Sequence, residues 1–398
     1  MQEFKDLGLS GPLLSAIAKM GFEQPTAVQS LALPLILAGK DLIAQAQTGT
    51  GKTAVFGILM IQKLEGPPGL PVGLVVVPTR ELAVQVAAEL RRLGSGSRAV
   101  VRAIYGGQSI KAQIDKLAAG SHIVVGTPGR LLDHLRRRTL SLKALTTVVL
   151  DEADRMLDMG FIKDMEAILA AAPARRQTLL FSATIPAAIM PLATRHLRQP
   201  EMVKVNPEAP TAEGIEHAFY AVDNLRRLEV LRDVLREKTE GLTLVFCQTK
   251  REVDRVVIDL SREGFNVCGI HGDYTQKHRD EAMDLFRRGK VDVLVATDIA
   301  ARGLDVEDVA RVVNYRVPID PTSYVHRVGR TARAGRSGRA ASLVSMLERP
   351  LLRDIARVSR IQVELTNRTG EVVPITPPPA PRSVTLRRPR SFGPGRRR

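Results

Sequence analysis

The sequence has no tryptophan, and aromatic residues of all kinds make up only 4% of its 398 positions. Platforms that stack nucleic-acid bases rely on exposed aromatic rings, so any binding to nucleic acid is expected to depend on the sugar–phosphate backbone. No apolar run reaches the ~18 residues that a membrane-spanning helix needs. The N-terminus has no basic start followed by an apolar stretch, and no secretory signal is therefore expected.

The sequence also has few residues that could build a disulfide scaffold or a zinc site. Its two cysteines, Cys247 and Cys268, both lie in apolar, strand-like runs. We therefore expect core positions for both, in a protein of the reducing cytoplasm. Five histidines show no paired metal-ligand spacing, which predicts roles other than metal binding: His122, His134, His217, His271 and His278.

Basic residues exceed acidic residues, 58 to 42, and the excess is uneven along the chain. Residues 1–205 carry 24 Lys and Arg against 16 Asp and Glu, residues 206–375 carry 27 against 26, and residues 376–398 carry seven against none. A positive surface favours a polyanionic partner, because neutralised phosphates release condensed counterions. On charge alone, a basic protein that is merely soluble remains an alternative.

Short apolar runs alternate with helical patterns in the first half of the chain. Because most of these runs are continuous, they predict parallel strands that are covered on both faces. The strand candidates are Asp41–Ala44, Leu74–Val77, Val100–Ile104, Ile123–Val125, Val148–Leu150 and Thr178–Phe181. The helices predicted between them include Ala54–Leu64, Glu81–Leu93 and Ile110–Ala118.

The second half repeats this pattern, so the sequence predicts an α/β fold built from two such domains. Its strand candidates are His217–Val222, Thr243–Cys247, Val267–Ile270, Val293–Ala296, Ala310–Asn314 and Ala341–Met346. We assign the domains to residues 1–205 and 215–375, joined by an extended linker at 206–214 that contains proline and glycine. Residues 376–398 combine arginine and proline without acidic neighbours and are expected to be a disordered basic tail.

Residues 46–53 read Ala-Gln-Thr-Gly-Thr-Gly-Lys-Thr, the pattern of a phosphate-binding loop between a strand and a helix. Glycines let backbone N–H groups wrap phosphates, and the N-terminus of the following helix adds a positive dipole end. Lys52 would reach the β- and γ-phosphates and Thr53 would ligate Mg²⁺, while Ala46 stands where the general pattern has glycine. The candidate nucleotide-binding residues of the loop are Ala46, Gln47, Thr48, Gly49, Thr50, Gly51, Lys52 and Thr53.

A nucleotide site of this kind also needs a carboxylate at the end of a strand for its metal ion. The apolar run 147–150 leads directly into Asp-Glu-Ala-Asp at 151–154. Asp151 ends the strand and is placed to hold Mg²⁺, and Glu152 could polarise an attacking water. An acidic quartet on its own is usually a solvated helix start, but the preceding strand and the phosphate loop favour a catalytic role.

Together with further short motifs, these residues resemble the DEAD-box ATP-dependent RNA helicases over roughly residues 4–350. Each motif alone is weak, and the resemblance rests on the whole set occurring in order. The motifs are Gly21–Gln29 with Phe4 upstream, Pro78–Ala83, Gly106–Gly107, Thr127–Arg130, Ser182–Thr184, Val245–Cys247, Gln276 with Arg279, Ala296–Asp298, Arg302–Asp305 and His326–Arg333.

The resemblance implies two RecA-like domains, each a mostly parallel sheet flanked by helices, with ATP and Mg²⁺ bound in the cleft between them. Gln29 would read the adenine edge, Phe4 would pack on the ring, and Asp305 would contact the ribose. The residues implied in catalysis are Lys52, Asp151, Glu152, His326, Arg330 and Arg333, the last two as arginine fingers.

The same resemblance implies residues that touch RNA and residues that couple its binding to ATP. The segment Ser182-Ala183-Thr184, together with His326, would link the state of the nucleotide to the grip on RNA. The residues implied in lining the RNA track are Thr79, Arg80, Gly107, Thr127, Gly129, Arg130, Arg279 and Thr297.

Two positions depart from the family pattern. Arg316 stands where an acidic residue is common, so the interdomain contacts near it are not predictable. Ala332 stands where glycine is frequent, and we expect this change to be harmless. The chain starts almost at Phe4 and adds only the basic tail, an architecture that resembles the bacterial RhlE-like branch.

The sequence thus predicts an RNA-stimulated ATPase that unwinds short RNA duplexes locally or remodels RNA–protein complexes, without sequence preference. Two alternatives stay open: an ATP-gated RNA clamp or assembly platform, and a DNA-directed helicase on the same core. The expected partner is RNA, single-stranded or in short duplexes, with ribosomal precursors and RNA-decay proteins as further candidates and no membrane. The expected compartment is the cytoplasm.

Overall fold

The structure is a computed structural model, and it describes residues 3–46, 49–205, 214–237, 239, 241–301, 309–332 and 337–375. Within these ranges, two separate β-sheets lie one after the other along the chain. No helix in the described ranges combines the length and the apolar character that crossing a membrane would require.

The first sheet has seven parallel strands in the order β3-β4-β2-β5-β6-β1-β7. Its strands are β1 (Leu42–Gln45), β2 (Gly73–Val76), β3 (Val101–Ile104), β4 (Ile123–Gly126), β5 (Thr147–Leu150), β6 (Gln177–Ser182) and β7 (Glu201–Lys204). The helices that cover it are α1 (Gly11–Lys19), α2 (Ala27–Leu37), α3 (Lys52–Gln62), α4 (Arg80–Leu93), α5 (Ile110–Ala118), α6 (Pro128–Arg136), α7 (Ala153–Asp158), α8 (Ile162–Ala171) and α9 (Met190–His196).

Successive residues of a central strand of this sheet enter two different hydrophobic cores. Val149 belongs to the core on one face, and its neighbours Val148 and Leu150 belong to the core on the other face. Side chains alternate across a strand, so a sheet that is covered on both faces needs apolar residues at every position. The apolar runs of the sequence are therefore continuous because the strands are buried on both faces, as expected.

The second sheet also has seven parallel strands, in the order β10-β11-β9-β12-β13-β8-β14. Its strands are β8 (Ile215–Ala221), β9 (Thr243–Cys247), β10 (Val267–Ile270), β11 (Val293–Thr297), β12 (Arg311–Asn314), β13 (Gly338–Val344) and β14 (Leu365–Thr366). Its helices are α10 (Arg227–Arg236), α11 (Lys250–Arg262), α12 (Gln276–Arg287), α13 (Asp298–Ala301), α14 (Pro321–Val328) and α15 (Leu351–Ser359). Counted from its own first strand, this order is the same as that of the first sheet.

The predicted fold class is confirmed: two α/β sheets of parallel strands follow each other in the chain. Two short edge strands, β7 and β14, were not predicted. In β7 only Val203 is buried, so the strand lacks the apolar run that marks the others. The domain boundaries stay a prediction, because residues 206–213 of the expected linker and the expected tail at 376–398 lie outside the described residues.

The two sheets contact each other through side chains that follow the carboxyl ends of their strands. Arg80 Nη1, just after β2, donates to Gln276 Oε1 at 3.0 Å, across 196 positions of sequence. Arg279 forms an ion pair with Glu81 at 2.8 Å. Ligands of open parallel sheets bind outside the carboxyl ends of the strands, so these contacts bring the two candidate ligand-binding edges together.

Candidate functional site

The predicted phosphate loop lies between β1 and α3. Gly49 and Gly51 have φ of +83° and +88°, a conformation in which glycine avoids the clash of a side chain. Lys52 opens α3, is buried, and donates from Nζ to Ala46 O at 2.8 Å. Backbone N–H groups at the start of a helix, with a buried ammonium beside them, form a site for an anion. Gln47 and Thr48 lie outside the described residues.

Gln29, expected to read the adenine base, contacts the phosphate loop. The side chain is 1% exposed; its Oε1 accepts from Thr26 N at 2.9 Å and its Nε2 donates to Gly51 O at 3.1 Å. A Cβ added at Gly51 would overlap with that amide, so the close approach requires glycine. Phe4 is 5% exposed and packs into the core of the first sheet. The role of either residue toward the base stays a prediction.

The two acidic residues expected in catalysis stand directly after β5. Asp151 is 3% exposed, and its Oδ1 accepts from Glu152 N at 3.0 Å. Glu152 has φ of +52°, in the left-handed region that residues other than glycine rarely adopt. Such strain costs of the order of 1–3 kcal/mol and is concentrated at functional sites. The backbone thus holds the Glu152 side chain where an ordinary helix start would not.

Burial and neighbouring cations give these two carboxyl groups different proton affinities. Burial raises the pKa of Asp151 to about 6, and the charge of Lys52 only partly opposes this rise. Burial also acts to raise the pKa of Glu152, but the charges of Arg155, Lys52 and Arg330 outweigh burial and leave that pKa below its ordinary value. Arg155 contacts Glu152 directly. Glu152 is therefore ionised at neutral pH, whereas Asp151 is close to its titration range.

The segment 182–184 joins the phosphate loop to the acidic residues. Ser182 O accepts from Ala46 N at 2.9 Å, and Ser182 Oγ accepts from Asp154 N at 3.0 Å. Asp154 Oδ2 accepts from both the backbone N and the hydroxyl of Thr184, at 2.8 and 2.9 Å. Gln45, at the end of β1, donates to Ala183 O at 3.2 Å. A movement of the loop would thus be transmitted through direct hydrogen bonds.

A cavity of about 380 Å³ lies between the two sheets and receives side chains from both. Lys52, Glu152 and Thr184 line it from the first sheet, and His326 and Arg330 line it from the second. The structure therefore brings these predicted residues together, although Arg330 lies 278 positions after Lys52. The other residues of the second half that are predicted to contact the nucleotide, Asp305 and Arg333, lie outside the described residues.

The helix α14, which carries His326, is fixed to the second sheet by its own buried arginine. Arg327 binds Asp298 through two hydrogen bonds of 2.6 and 2.7 Å and donates to Asn314 Oδ1 at 3.0 Å. Asp320 caps the first turn of the helix. We did not predict these supporting contacts, because motif spacing does not distinguish an arginine that faces a ligand from one that faces the sheet.

The residues predicted to touch RNA lie at the carboxyl ends of strands, in the loops that follow, or in the first turn of the next helix, in both halves of the chain. Gly107 has φ of +86°, and a Cβ there would overlap with the Arg80 guanidinium and lie 3.5 Å from the Cβ of Gln276. Arg80 and Arg279, both predicted to bind RNA, are the residues whose contacts join the two sheets. The predicted RNA surface therefore includes the junction between the two sheets.

The remaining predicted RNA-binding residues are held at the starts of helices. Thr79, Thr127 and Thr297 precede α4, α6 and α13, and the hydroxyl of Thr79 accepts from Leu82 N at 3.3 Å. At Gly129 an added Cβ would meet no described atom within 4 Å. Any requirement for glycine at that position must therefore come from a bound partner and not from packing.

The two departures from the family pattern now have a structural description. Arg316 forms ion pairs with Glu252 and Glu348, so its contacts lie within the second sheet and its helices. Ala332 has φ of +56°, a conformation that costs an alanine roughly 1 kcal/mol more than a glycine. The expectation that this change is harmless to function stays a prediction, and the backbone conformation adds a small cost in stability.

Comparison with known families accounts for both halves of the chain. Residues 26–191 match the DEAD/DEAH box helicase family and residues 226–335 match the helicase conserved C-terminal domain. DEAD-box ATP-dependent RNA helicase CshA of Bacillus licheniformis is 48% identical over 361 residues, which are 91% of this chain and 74% of that protein. CshA of Bacillus subtilis is 47% identical, over 91% of this chain and 73% of that protein. Both relatives are CshA proteins, so the RhlE-like branch gains no support from them and stays a prediction.

Two solved structures of DEAD-box proteins resemble this chain over most of its length. Dbp5 of S. cerevisiae bound to RNA and ADP BeF3 is 31% identical and has a TM-score of 0.82, over 92% of this chain and 95% of that one. A DEAD box protein from Methanococcus jannaschii is 41% identical but scores 0.54, over 92% of this chain and 99% of that one. The chain belongs to the DEAD-box ATP-dependent RNA helicases.

Proposed function

We propose that this ATP-dependent RNA helicase hydrolyses ATP in the cavity between its two sheets, with residues from both. Lys52 neutralises the β- and γ-phosphates, and Glu152, ionised because of its cationic neighbours, orients and polarises the attacking water. Arg330 and Arg333 stabilise the charge that develops on the transferring phosphoryl group. The observation that carries this proposal is that Lys52, Glu152 and Arg330 line one cavity.

The residues beside the phosphate loop have the chemistry that a magnesium ion requires. Mg²⁺ prefers hard oxygen ligands and keeps several of its waters. The carboxylate of Asp151, whose pKa is raised by burial, and the hydroxyl of Thr53 would hold the ion. When bound, the ion would neutralise charge on the phosphates. Asp151 would be deprotonated in that state, because a cation favours the carboxylate form.

We assign recognition of the base and the ribose to residues around the same loop. Gln29 reads the adenine edge with its amide, Phe4 packs near the ring, and Asp305 contacts the ribose. In support, Gln29 already contacts Gly51, so a residue that reads the base is joined to the loop that binds the phosphates. These two hydrogen bonds use one N–H and one lone pair of the amide, so a second N–H and a second lone pair are left for the base.

We assign the RNA track to Thr79, Arg80, Gly107, Thr127, Gly129, Arg130, Arg279 and Thr297. The low content of aromatic residues, 4%, supports a grip on the backbone and therefore weak sequence preference. Closure of the two domains on ATP and single-stranded RNA would bend the strand and expel its partner, which unwinds short duplexes or remodels RNA–protein complexes. Ser182–Thr184 and His326 would report the state of the nucleotide to this surface.

Beyond RNA, we propose a cytoplasmic protein whose partners are ribosomal precursors or RNA-decay proteins. An ATP-gated clamp or assembly platform is the second candidate function, and a DNA-directed helicase is the third. The intact set of Lys52, Asp151, Glu152 and Arg330 favours turnover over a clamp.

One ATPase experiment tests the proposal. The purified full chain is assayed without nucleic acid, with single-stranded RNA and with DNA of the same sequence. We expect stimulation by RNA and little by DNA, loss of turnover in Lys52→Ala, and ATP-bound RNA complexes without turnover in Glu152→Gln. Equal stimulation by DNA would contradict the RNA preference, and near-normal turnover in Glu152→Gln would remove Glu152 from its role.

A further inference from the structure

A buried amide joins two of the segments that carry the proposed RNA contacts. Gln113, on α5, is 1% exposed, and it is the buried residue of that helix. Its Nε2 donates to Tyr105 O at 2.8 Å, and its Oε1 accepts from Arg130 Nη1 at 3.0 Å. Tyr105 directly precedes Gly106–Gly107, and Arg130 ends the segment 127–130. A single side chain therefore spans both segments.

The neighbouring histidine completes the hydrogen bonds of this amide. Because Gln113 Oε1 can only accept, the proton between it and His134 Nε2, at 3.1 Å, belongs to the histidine. The other ring nitrogen, Nδ1, lies 2.8 Å from the hydroxyl of Thr139. Burial, aided by the charge of Arg130, lowers the pKa of His134, so the ring is neutral and accepts at Nδ1. Every polar atom of the Gln113 side chain thus has a partner.

The same contacts fix the direction of the Arg130 guanidinium. Its Nη1 donates to Gln113 Oε1 and also to Gln108 O at 3.2 Å. Both contacts use Nη1, and within the described part of the chain they are the hydrogen bonds that Arg130 makes. An arginine has five N–H donors, so those on Nε and Nη2 remain for a phosphate.

We propose that Gln113 is a positioning residue for RNA binding: it holds Arg130 in the orientation that meets the RNA backbone and fixes segment 127–130 against Gly106–Gly107. This inference rests on the proposed RNA role of Arg130. An arginine that is ordered before RNA arrives loses less side-chain freedom on binding. A leucine would pack at a purely structural position without the cost of burying an amide, so the three polar partners are the reason for glutamine.

A double-mutant cycle on RNA binding tests this inference. Gln113→Met keeps the length of the side chain and removes its hydrogen bonds, and Arg130→Met removes the guanidinium. Affinity for a fluorescent oligouridine is measured by anisotropy for the parent, both single variants and the double variant. We expect Gln113→Met to weaken binding about fivefold and to add nothing once Arg130 is replaced. Independent effects that multiply in the double variant would overturn the proposal.

Two further variants separate positioning from folding. Gln113→Glu keeps an acceptor for Arg130 and His134 but cannot donate to Tyr105, so its affinity should lie between those of the parent and Gln113→Met. If Gln113→Met does not fold, Gln113→Glu takes its place in the double-mutant cycle. Thr139→Val, which alters the far side of His134, should change RNA affinity by less than about twofold.

The ATPase assay distinguishes failure of this inference from failure of the proposed function. Gln113→Met should raise the RNA concentration for half-maximal ATPase about fivefold and leave kcat at saturating RNA unchanged. A fall in kcat with no change in that concentration would contradict positioning. If Arg130→Met binds RNA as well as the parent does, the RNA role of Arg130 is wrong, and the role of Gln113 falls with it.

Discussion

Replacing Asp151 by asparagine should stabilise the protein when nucleotide and divalent cations are absent, and should do so more at alkaline than at acidic pH. The carboxyl group is buried, and this raises its pKa to about 6 from an ordinary value of 3.8. Asparagine keeps an oxygen that can accept from Glu152 N, as Asp151 Oδ1 now does at 3.0 Å. The substitution therefore removes a buried ionisable group with little change in shape.

The magnitude follows from the two pKa values. At pH values between about 3.8 and about 6, Asp151 is ionised in the unfolded chain but still protonated in the folded chain. The free energy of unfolding therefore falls as the pH rises through this interval. At about pH 8 the loss is complete and amounts to about 3 kcal/mol, because one pKa unit corresponds to about 1.4 kcal/mol. At about pH 5 roughly half of the loss has accrued. Asparagine cannot ionise, so the variant loses no unfolding free energy from this position at either pH.

Thermal unfolding followed by circular dichroism, in a chelating buffer, measures this difference. The gain in Tm from Asp151→Asn should be about 3–6 °C larger at about pH 8 than at about pH 5. Asp133→Asn is the matched control, because Asp133 is paired with Arg137 and its pKa lies below the ordinary value, so no gain is expected at alkaline pH. A variant that is equally or less stable than the parent at about pH 8 would refute the reasoning.

Three further predictions concern the nucleotide, the RNA track and the tail. Gln29→Ala should weaken ATP binding and relax discrimination against GTP, because it removes the amide that contacts Gly51; an unchanged preference in competition binding would place base recognition elsewhere. Gly129→Ala should leave the free energy of unfolding within about 0.5 kcal/mol of the parent but weaken RNA binding, since its Cβ meets open space; unchanged RNA affinity would show that RNA does not approach this backbone. Removal of residues 382–398, with their seven arginines, should lower the salt slope of RNA affinity by at most about 5 and leave kcat at saturating RNA unchanged; equal slopes would leave the tail without an RNA role.

The fold was predictable because its central strands are buried on both faces. Strand β9 was predicted with the bounds that it has, Thr243–Cys247, since every residue in it is buried and apolar or β-branched. The short edge strand β14 was not predicted, because a strand of two residues is too short to show a pattern in the sequence. The strand order, which is the same in both sheets, was also not predicted. Strand order depends on which strands pair with each other, and a local sequence pattern does not show this.

The site was predictable where its residues are close in sequence or belong to a recognised motif. The phosphate loop and the acidic segment each follow a buried strand, which sets their place at the edge of the sheet. The contacts of Arg80 with Gln276 and of Gln113 with Arg130 depend on how separate elements pack against each other. No local sequence pattern predicts these contacts. The hydrogen bonds of Gln29 with the phosphate loop were missed for the same reason.

The central claim is that catalysis requires both halves of the chain, and the turnover of Arg330→Ala tests it most directly. Arg330 lines the same cavity as Lys52 and Glu152 but comes from the other sheet. With saturating ATP and RNA, kcat should fall about 10³-fold or more, while ATP affinity changes little. The control Arg357→Ala, which removes an exposed arginine of α15 paired with Asp354, should keep the parental rate. A kcat for Arg330→Ala within about tenfold of the parent would contradict the account.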